Sequence, residues 1–170
     1  MTYPSPSQKQ APESTPGLLA LILGYACNAR CVYCHLEKTD TAMSPALLRQ
    51  ALERLAPDAQ TTIRLSGCEP LLHPELLSLV FTHVAKRGNP LRLTTNGLLL
   101  SPDWLTRFAK LPSLELVVSV DGTAESQRAQ RKTAYEESDS YDWFHTLAPL
   151  LSRFPRPVTI NLVVGPSEAD

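Results

Sequence analysis

The chain has 170 residues and a mass of 18.7 kDa, a length typical of one domain. Apolar residues make up 43% and charged residues 19%, a composition that supports a core and excludes disorder over most of the length. The net charge of −1 indicates no basic surface for nucleic acid, and no apolar run reaches the about eighteen residues of a membrane span. Residues 1–17 are polar and proline-rich, unlike a signal peptide. We therefore expect a disordered leader over 1–17, one core domain over 18–170 and a cytoplasmic location.

Helix and strand signals alternate along the chain. Three helices are predicted to begin where a polar residue and a proline precede apolar residues at helical spacing. These starts are Ser44-Pro45, His73-Pro74 and Ser101-Pro102. A fourth helix is predicted over residues 141–154, where Pro149 should kink or split it. In the polar stretch 123–140 before it, the charged residues 125–139 are predicted to be a solvated loop. Apolar runs predict five strands, at residues 18–24, 61–65, 91–95, 114–120 and 158–164.

This alternation predicts an α/β fold, in which βαβ units form a parallel sheet of about five strands with the helices outside. Unusual residues follow the first four predicted strands: a cysteine-rich loop, Gly-Cys-Glu-Pro, Thr-Asn-Gly and Asp-Gly. Functional sites of parallel α/β folds form at the carboxyl ends of the strands. The four segments are therefore expected on one face, where they would form a single site.

Three of the four cysteines lie close together, at Cys27, Cys31 and Cys34, and Cys68 stands apart. Thiols at this spacing can converge on one metal centre, and thiolates select zinc, copper(I) or iron–sulfur clusters. A structural zinc site needs four ligands, commonly in two separated pairs, and the sequence has no second pair. Three ligands leave one iron of a four-iron cluster open for chemistry, so the spacing favours an iron–sulfur cluster.

Two other interpretations of the cysteines remain open at this point. Cys68, His35 and His73 carry side chains that can complete a zinc site around the same loop. The cysteines can also be a chance cluster that holds no metal. The other motifs of the chain favour the iron–sulfur interpretation.

The segment Cys27-Asn-Ala-Arg-Cys31-Val-Tyr-Cys34 resembles the CxxxCxΦC motif of the radical S-adenosylmethionine (SAM) superfamily. The resemblance covers residues 18–164 and implies that the three cysteines hold a 4Fe–4S cluster whose fourth iron binds SAM. Tyr33 occupies the family's aromatic position, beside the adenine. The implied chemistry is reductive cleavage of SAM to methionine and a 5′-deoxyadenosyl radical that abstracts a substrate hydrogen atom. No catalytic residues beyond the cluster and SAM ligands are expected.

Ser66-Gly67-Cys68-Glu69-Pro70 is similar to the family's GGEP motif, which meets the SAM amino group. The likeness implies that Gly67, Cys68 and Glu69 are SAM-binding residues. Cys68 departs from the family's usual glycine, and its Cβ restricts the backbone and is expected to weaken SAM binding. The alternative for this side chain is a fourth thiol near the cluster.

Two later segments resemble the motifs of the family's third and fourth strands. They are Thr94-Thr95-Asn96-Gly97 and Ser119-Val-Asp121-Gly122. The likeness implies that Asn96 binds SAM and that Ser119 contacts its carboxylate or ribose. Arg131 follows Ser119 by the twelve positions that separate a carboxylate-binding arginine from this serine in several relatives, and a planar guanidinium suits that partner.

The resemblance implies a partial parallel (β/α) barrel, which usually has six strands, whereas five are predicted here. We therefore expect a sixth strand to be missing, through truncation, a shortened barrel or completion by a partner.

The expected function is a radical SAM enzyme for peptide modification or cofactor biosynthesis, or an activase for a glycyl-radical enzyme. The expected partners are a flavodoxin- or ferredoxin-type reductant and a peptide or partner enzyme as substrate, with no nucleic acid or membrane. The alternative is a non-catalytic zinc- or cluster-binding module that acts through a partner protein.

Overall fold

The structure, a computed structural model, describes residues 17–134 and 140–164. The strands are β1 (Gly17–Leu21), β2 (Ala29–Cys31), β3 (Thr61–Leu65), β4 (Leu91–Thr95), β5 (Leu114–Ser119), β6 (Arg131–Thr133) and β7 (Val158–Asn161). The helices are α1 (Pro45–Leu55), α2 (Pro74–Arg87), α3 (Pro102–Ala109), α4 (Ala124–Gln130) and α5 (Ser140–Leu151), and a short 3₁₀ turn covers Pro70–Leu72.

Five strands form one parallel sheet in the order β1-β3-β4-β5-β7, and β2 and β6 form a separate antiparallel pair. The predicted α/β fold with a parallel sheet of five strands is confirmed. Neighbouring strands end almost level, because Leu21 pairs with Leu65 and Ser119 pairs with Asn161. The loops that follow the strands therefore gather at one edge of the sheet.

The first three predicted helices begin where the sequence indicates. The hydroxyl of Ser44 accepts a hydrogen bond from the Leu47 N–H at 3.2 Å, and Ser101 accepts one from the Trp104 N–H at 3.3 Å. Each bond satisfies a donor that the first helical turn leaves free. Within residues 17–134 and 140–164, none of the helices has both the length and the apolar character that crossing a bilayer requires.

The predicted loop over residues 125–139 is wrong over most of its described part. Thr123 caps α4, since its hydroxyl accepts a hydrogen bond from the Ser126 N–H at 3.3 Å, and β6 follows directly. Of the α4 side chains, Gln127 alone is buried, so this helix carries no apolar periodicity for a sequence pattern to detect. Residues 135–139 of the predicted loop lie outside the described residues.

Several element ends also differ from the predictions. β1 begins at Gly17, which pairs with Thr61, so one residue of the predicted leader belongs to the sheet, and residues 1–16 lie outside the described part. Burial alternates along β1, whose one face is uncovered, so Leu18 is 60% exposed where a buried strand was predicted. β7 ends at Asn161, before the predicted end of its strand. The last helix continues through Pro149 without the predicted split.

Leucine, isoleucine, valine and phenylalanine side chains between the sheet and the helices form the core. The large side chains with almost no exposure include Leu48, Leu52, Ile63, Leu65, Leu77, Leu91, Leu93, Phe108 and Leu116. Buried polar side chains instead concentrate at the carboxyl ends of the strands, and they include Asn28, Glu69, Thr95, Ser119, Asp121 and Arg131. Polar groups that leave water need partners, so the buried side chains at this edge of the sheet are expected to contact one another or the backbone.

Candidate functional site

A cavity of about 330 Å³ opens at the carboxyl ends of the strands. Its volume lies within the range of small-molecule sites. Every site residue predicted from the sequence lines it: Cys27, Cys31, Tyr33, Cys34, Gly67, Cys68, Glu69, Asn96, Ser119 and Arg131. The structure thus brings together segments that lie about a hundred residues apart, and what each residue binds there stays a prediction.

The β2–β6 pair fixes the cysteine loop. Cys31 lies opposite Arg131 in this pair, and the Val32 N–H continues it by donating to the Gln130 carbonyl at 2.9 Å. The Cys34 N–H donates to the Cys31 carbonyl at 3.1 Å, which closes a tight turn. Two of the three clustered thiols therefore stand on one compact turn that β6 holds in place.

The third thiol, that of Cys27, is connected to the end of β4. Its Sγ accepts a hydrogen bond from the Ala29 N–H at 3.4 Å and lies 3.7 Å from Asn96 Nδ2. The same Asn96 amide donates to Asn28 Oδ1 at 2.8 Å. Asn96 thus connects the end of β4 to the cysteine loop.

The three thiols differ in acidity. Burial raises the pKa of the Cys27 and Cys31 thiols. Burial also acts on Cys34, but the Leu36 N–H and the Lys38 ammonium outweigh it and lower the pKa of that thiol. A metal centre binds thiolates, so metal binding would release protons most readily from Cys34.

Glu69 is buried, and its carboxylate is occupied by protein donors. Oε1 accepts hydrogen bonds from the Leu71 N–H at 3.0 Å and the Thr95 hydroxyl at 2.8 Å, and Oε2 accepts one from the Asn96 N–H at 2.8 Å. Burial raises the pKa of Glu69 to about 7, against these three donors. The side chain is therefore a cross-link between the turn after β3 and the end of β4.

Gly67 and Cys68 both line the cavity, but only Gly67 has a positive φ. Gly67 has φ of 105°, and a Cβ there would lie 2.9 Å from Ile22 Cγ1, so glycine is required at this position. No non-glycine residue in the described ranges has a positive φ, and Cys68 therefore adopts an ordinary backbone conformation. Burial raises the pKa of the Cys68 thiol.

Asp121 is a buried residue behind the cavity whose contacts with the lining residues Tyr33 and Arg131 the sequence analysis missed. Its carboxylate accepts a hydrogen bond from the Tyr33 hydroxyl at 2.6 Å and lies 2.9 Å from Arg131 Nε. Asp-Gly after a strand also predicts an ordinary turn, so the sequence alone did not indicate that the Asp121 carboxylate contacts Tyr33 and Arg131. The available signal was the position of Asp121 between Ser119 and Arg131, both of which were predicted to be functional.

The two histidines of the zinc interpretation are separated in the structure. His35 lines the cavity, whereas His73 does not, and the Nε2 atom of His73 is buried without a hydrogen-bond partner. Across residues 17–134 and 140–164, no three His, Cys, Asp or Glu side chains are arranged to hold a single metal ion.

Sequence comparison finds curated relatives of this chain. It is 30% identical over 140 residues to mycofactocin maturase MftC of Mycobacterium tuberculosis, covering 78% of this chain and 36% of that protein. It is 35% identical over 82 residues to GTP 3′,8-cyclase of Lactiplantibacillus plantarum, covering 44% of this chain and 25% of that protein. The chain thus spans about a quarter to a third of the length of these relatives.

Solved structures share the fold. Streptococcus suis SuiB bound to precursor peptide SuiA matches with a TM-score of 0.73 at 17% identity, covering 92% of this chain and 35% of that one. Native anSMEcpe with bound AdoMet and the Cp18Cys peptide matches with a TM-score of 0.71 at 22% identity, covering 86% and 42%. These neighbours are radical SAM enzymes with a partial barrel, in agreement with the predicted fold. A family model described as the radical SAM superfamily matches residues 21–170, and the chain therefore belongs to the radical SAM superfamily.

Proposed function

We propose that this chain is the cluster- and SAM-binding core of a radical SAM enzyme. Cys27, Cys31 and Cys34 would hold a 4Fe–4S cluster, and SAM would bind in the adjoining cavity. The observation that carries the proposal is that these thiols and the residues after β3, β4 and β5 line one cavity.

The chemistry of the thiols fits a cluster. Three soft ligands stand at the edge of the cavity, and each has a nearby N–H or cationic group that can stabilise a thiolate sulfur. The donors are the Ala29 N–H for Cys27, the Arg131 guanidinium for Cys31 and the Lys38 ammonium for Cys34. Three protein ligands leave one iron open toward the cavity, where SAM would complete its coordination.

The remaining lining residues suit a zwitterionic, nucleotide-like ligand. Tyr33 offers an aromatic ring for the adenine, and Gly67 allows the backbone to approach closely. Ser119 and Arg131 offer a hydroxyl and a guanidinium for the ribose and the carboxylate. Glu69 would act indirectly, because its carboxylate is bonded to the protein and holds the Asn96 N–H in place.

When bound, the cluster and SAM supply one-electron reductive cleavage of the sulfonium, which yields methionine and a 5′-deoxyadenosyl radical. The protein's own contribution is to bind, to orient and to exclude water. Leu36 and Ala29 give the cavity an apolar part beside the thiols, which limits water next to the reacting groups. A flavodoxin- or ferredoxin-type protein would supply the electron.

We further propose that the substrate of this enzyme is a peptide. Two fold neighbours were solved with a bound peptide, namely SuiB with precursor peptide SuiA and anSMEcpe with the Cp18Cys peptide. Cofactor biosynthesis is the competing class, since GTP 3′,8-cyclases and an AdoMet-dependent heme synthase are relatives too.

The test is anaerobic reconstitution with iron and sulfide, followed by reduction with SAM present and an assay for 5′-deoxyadenosine. Wild type is expected to bind about four iron and to form 5′-deoxyadenosine, and Cys31→Ala is expected to do neither. Ser152→Ala is a matched surface control, because the Ser152 hydroxyl bonds to the Pro149 carbonyl away from the cavity. Zinc in place of iron in the wild-type protein would overturn the proposal.

A non-catalytic cluster-binding module is the second candidate, and Cys68 is the observation that favours it. Its thiol lines the cavity at a position where the family usually has glycine. Cys68→Gly separates the candidates: SAM binding and cleavage gained only in this variant would support the non-catalytic module. Equal cleavage by wild type and Cys68→Gly would reject it.

A further inference from the structure

The carboxylate of Asp121 is fully buried and contacts segments that are far apart in the chain. Oδ2 accepts a hydrogen bond from the Tyr33 hydroxyl at 2.6 Å and lies 2.9 Å from Arg131 Nε. Oδ1 accepts a hydrogen bond from the Val163 N–H at 3.1 Å, and the Asp121 N–H donates to Gln127 Oε1 at 2.8 Å. These contacts join the cysteine loop, α4, β6 and the residues after β7 to the end of β5.

Arg131 lies between this carboxylate and the cysteine loop. Its Nη1 atom is 3.8 Å from Cys31 Sγ, and its Cζ atom is 5.5 Å from the centre of the Tyr33 ring. The contact with Asp121 is an ion pair, because the Nε–H group does not make a well-directed hydrogen bond. Arginine keeps its proton in proteins, so the ion pair places a permanent positive charge beside a thiol and a carboxylate behind that charge.

We infer that the buried Asp121–Arg131 ion pair sets the charge beside the Cys31 sulfur, where the guanidinium would favour and the carboxylate would oppose reduction of a cluster on that sulfur. The inference rests on the proposed function, because it requires a cluster bound to Cys31. Nothing in the family motifs requires it, since those motifs concern the ligands of the cluster and of SAM.

The electrostatic argument gives Asp121 and Arg131 opposite effects. Reduction adds one electron to the cluster, so a nearby positive charge favours the reduced form and a nearby negative charge opposes it. Asp121→Asn keeps the size of the side chain and removes its charge, which leaves the guanidinium uncompensated. Arg131→Gln removes the positive charge and leaves the carboxylate. A purely structural role would move both variants in the same direction.

The experiment is a redox titration of the reconstituted protein, without SAM, followed by electron paramagnetic resonance of the reduced cluster. At a fixed potential, Asp121→Asn is expected to raise the ratio of reduced to oxidised cluster about tenfold, and Arg131→Gln to lower it about tenfold. A tenfold change corresponds to 59 mV for one electron. Asp142→Asn is the matched control, because Asp142 also pairs with an arginine, Arg128, but at an exposed site.

The outcomes distinguish the two proposals. A wild-type protein that binds no cluster would overturn the proposed function and this inference together. A normal cluster whose potential is the same in wild type, Asp121→Asn and Arg131→Gln would overturn this inference alone, as would shifts of the same sign in both variants. If Asp121→Asn does not fold, Arg131→Gln decides: a lowered ratio supports the inference and an unchanged ratio overturns it.

Discussion

Two buried carboxylates stand at the same edge of the sheet, and they are stabilised in different ways. Glu69, after β3, accepts hydrogen bonds from two backbone N–H groups and one hydroxyl, all of them neutral donors. Asp121, after β5, faces the guanidinium of Arg131 as well as the Tyr33 hydroxyl. Burial raises the pKa of Glu69 to about 7.

The two carboxylates have different roles in the structure of the site. Neutral donors hold Glu69 as a local cross-link between neighbouring segments, and that cross-link can accept a proton. The ion pair of Asp121 reaches across to the cysteine loop, and it brings a fixed charge close to a sulfur. One carboxylate therefore shapes the backbone of the cavity, and the other sets charge beside the thiols.

The largest expected effect comes from breaking the ion pair. Asp121→Ala should lower the free energy of unfolding by about 3–5 kcal/mol, because it leaves the buried Arg131 cation without its partner. Urea denaturation of the reduced apoprotein measures this change. Asp142→Ala is the control, since its ion pair with Arg128 is exposed and should be worth less than about 1 kcal/mol. Equal losses in the two variants would contradict the comparison.

The next effect is a pH dependence that belongs to Glu69. Its pKa of about 7 in the fold exceeds the ordinary value of 4.5, so the native protein binds more protons than the unfolded chain between these two values. The stability that this group contributes is fully present below pH 4.5 and is lost as pH rises to about 7. The loss amounts to about 3 kcal/mol.

Glu69→Gln isolates this contribution because an amide does not titrate. The free energy of unfolding of the wild-type protein, minus that of Glu69→Gln, should fall between pH 4.5 and 7 and then level off. Burial lowers the pKa of His73, which acts in the opposite direction, but it does so in both proteins and cancels in the difference. A difference that stays constant with pH would show that the carboxylate is ionised throughout.

The smallest effects come from removing one hydroxyl donor from each carboxylate. Thr95→Val should cost about 2 kcal/mol, because the buried Thr95 hydroxyl donates to Glu69 and also accepts from the Gly97 N–H. Tyr33→Phe should cost only about 1 kcal/mol, since the ring is partly exposed and the Arg131 ion pair remains. Thr95→Ser keeps the hydroxyl and should therefore retain most of the free energy of unfolding that Thr95→Val loses. If Tyr33→Phe lowers the free energy of unfolding more than Thr95→Val does, the expected order of the two hydroxyl donors is wrong.

The sequence predicted much of the fold because its signals are local. Apolar runs and Ser-Pro helix starts located the strands and helices that form the main sheet and its crossovers. The ribbon of β2 and β6 was not predicted, since each strand has three residues and its stability comes from pairing across a hundred residues of chain. α4 was missed for a related reason, because a short polar helix has no apolar stripe to detect.

The candidate site shows the same division. Spacing identified the three clustered cysteines, the resemblance to the family's motifs identified the segments around Gly67, Asn96, Ser119 and Arg131, and a parallel fold requires that those segments share one edge. The contacts between the side chains of these segments became known from the structure alone. It places Arg131 against Asp121 and near the Cys31 sulfur, and it occupies the Glu69 carboxylate with protein donors. Local patterns determine elements and their order, whereas the pairing of buried charges depends on distances between distant segments that only the packed chain establishes.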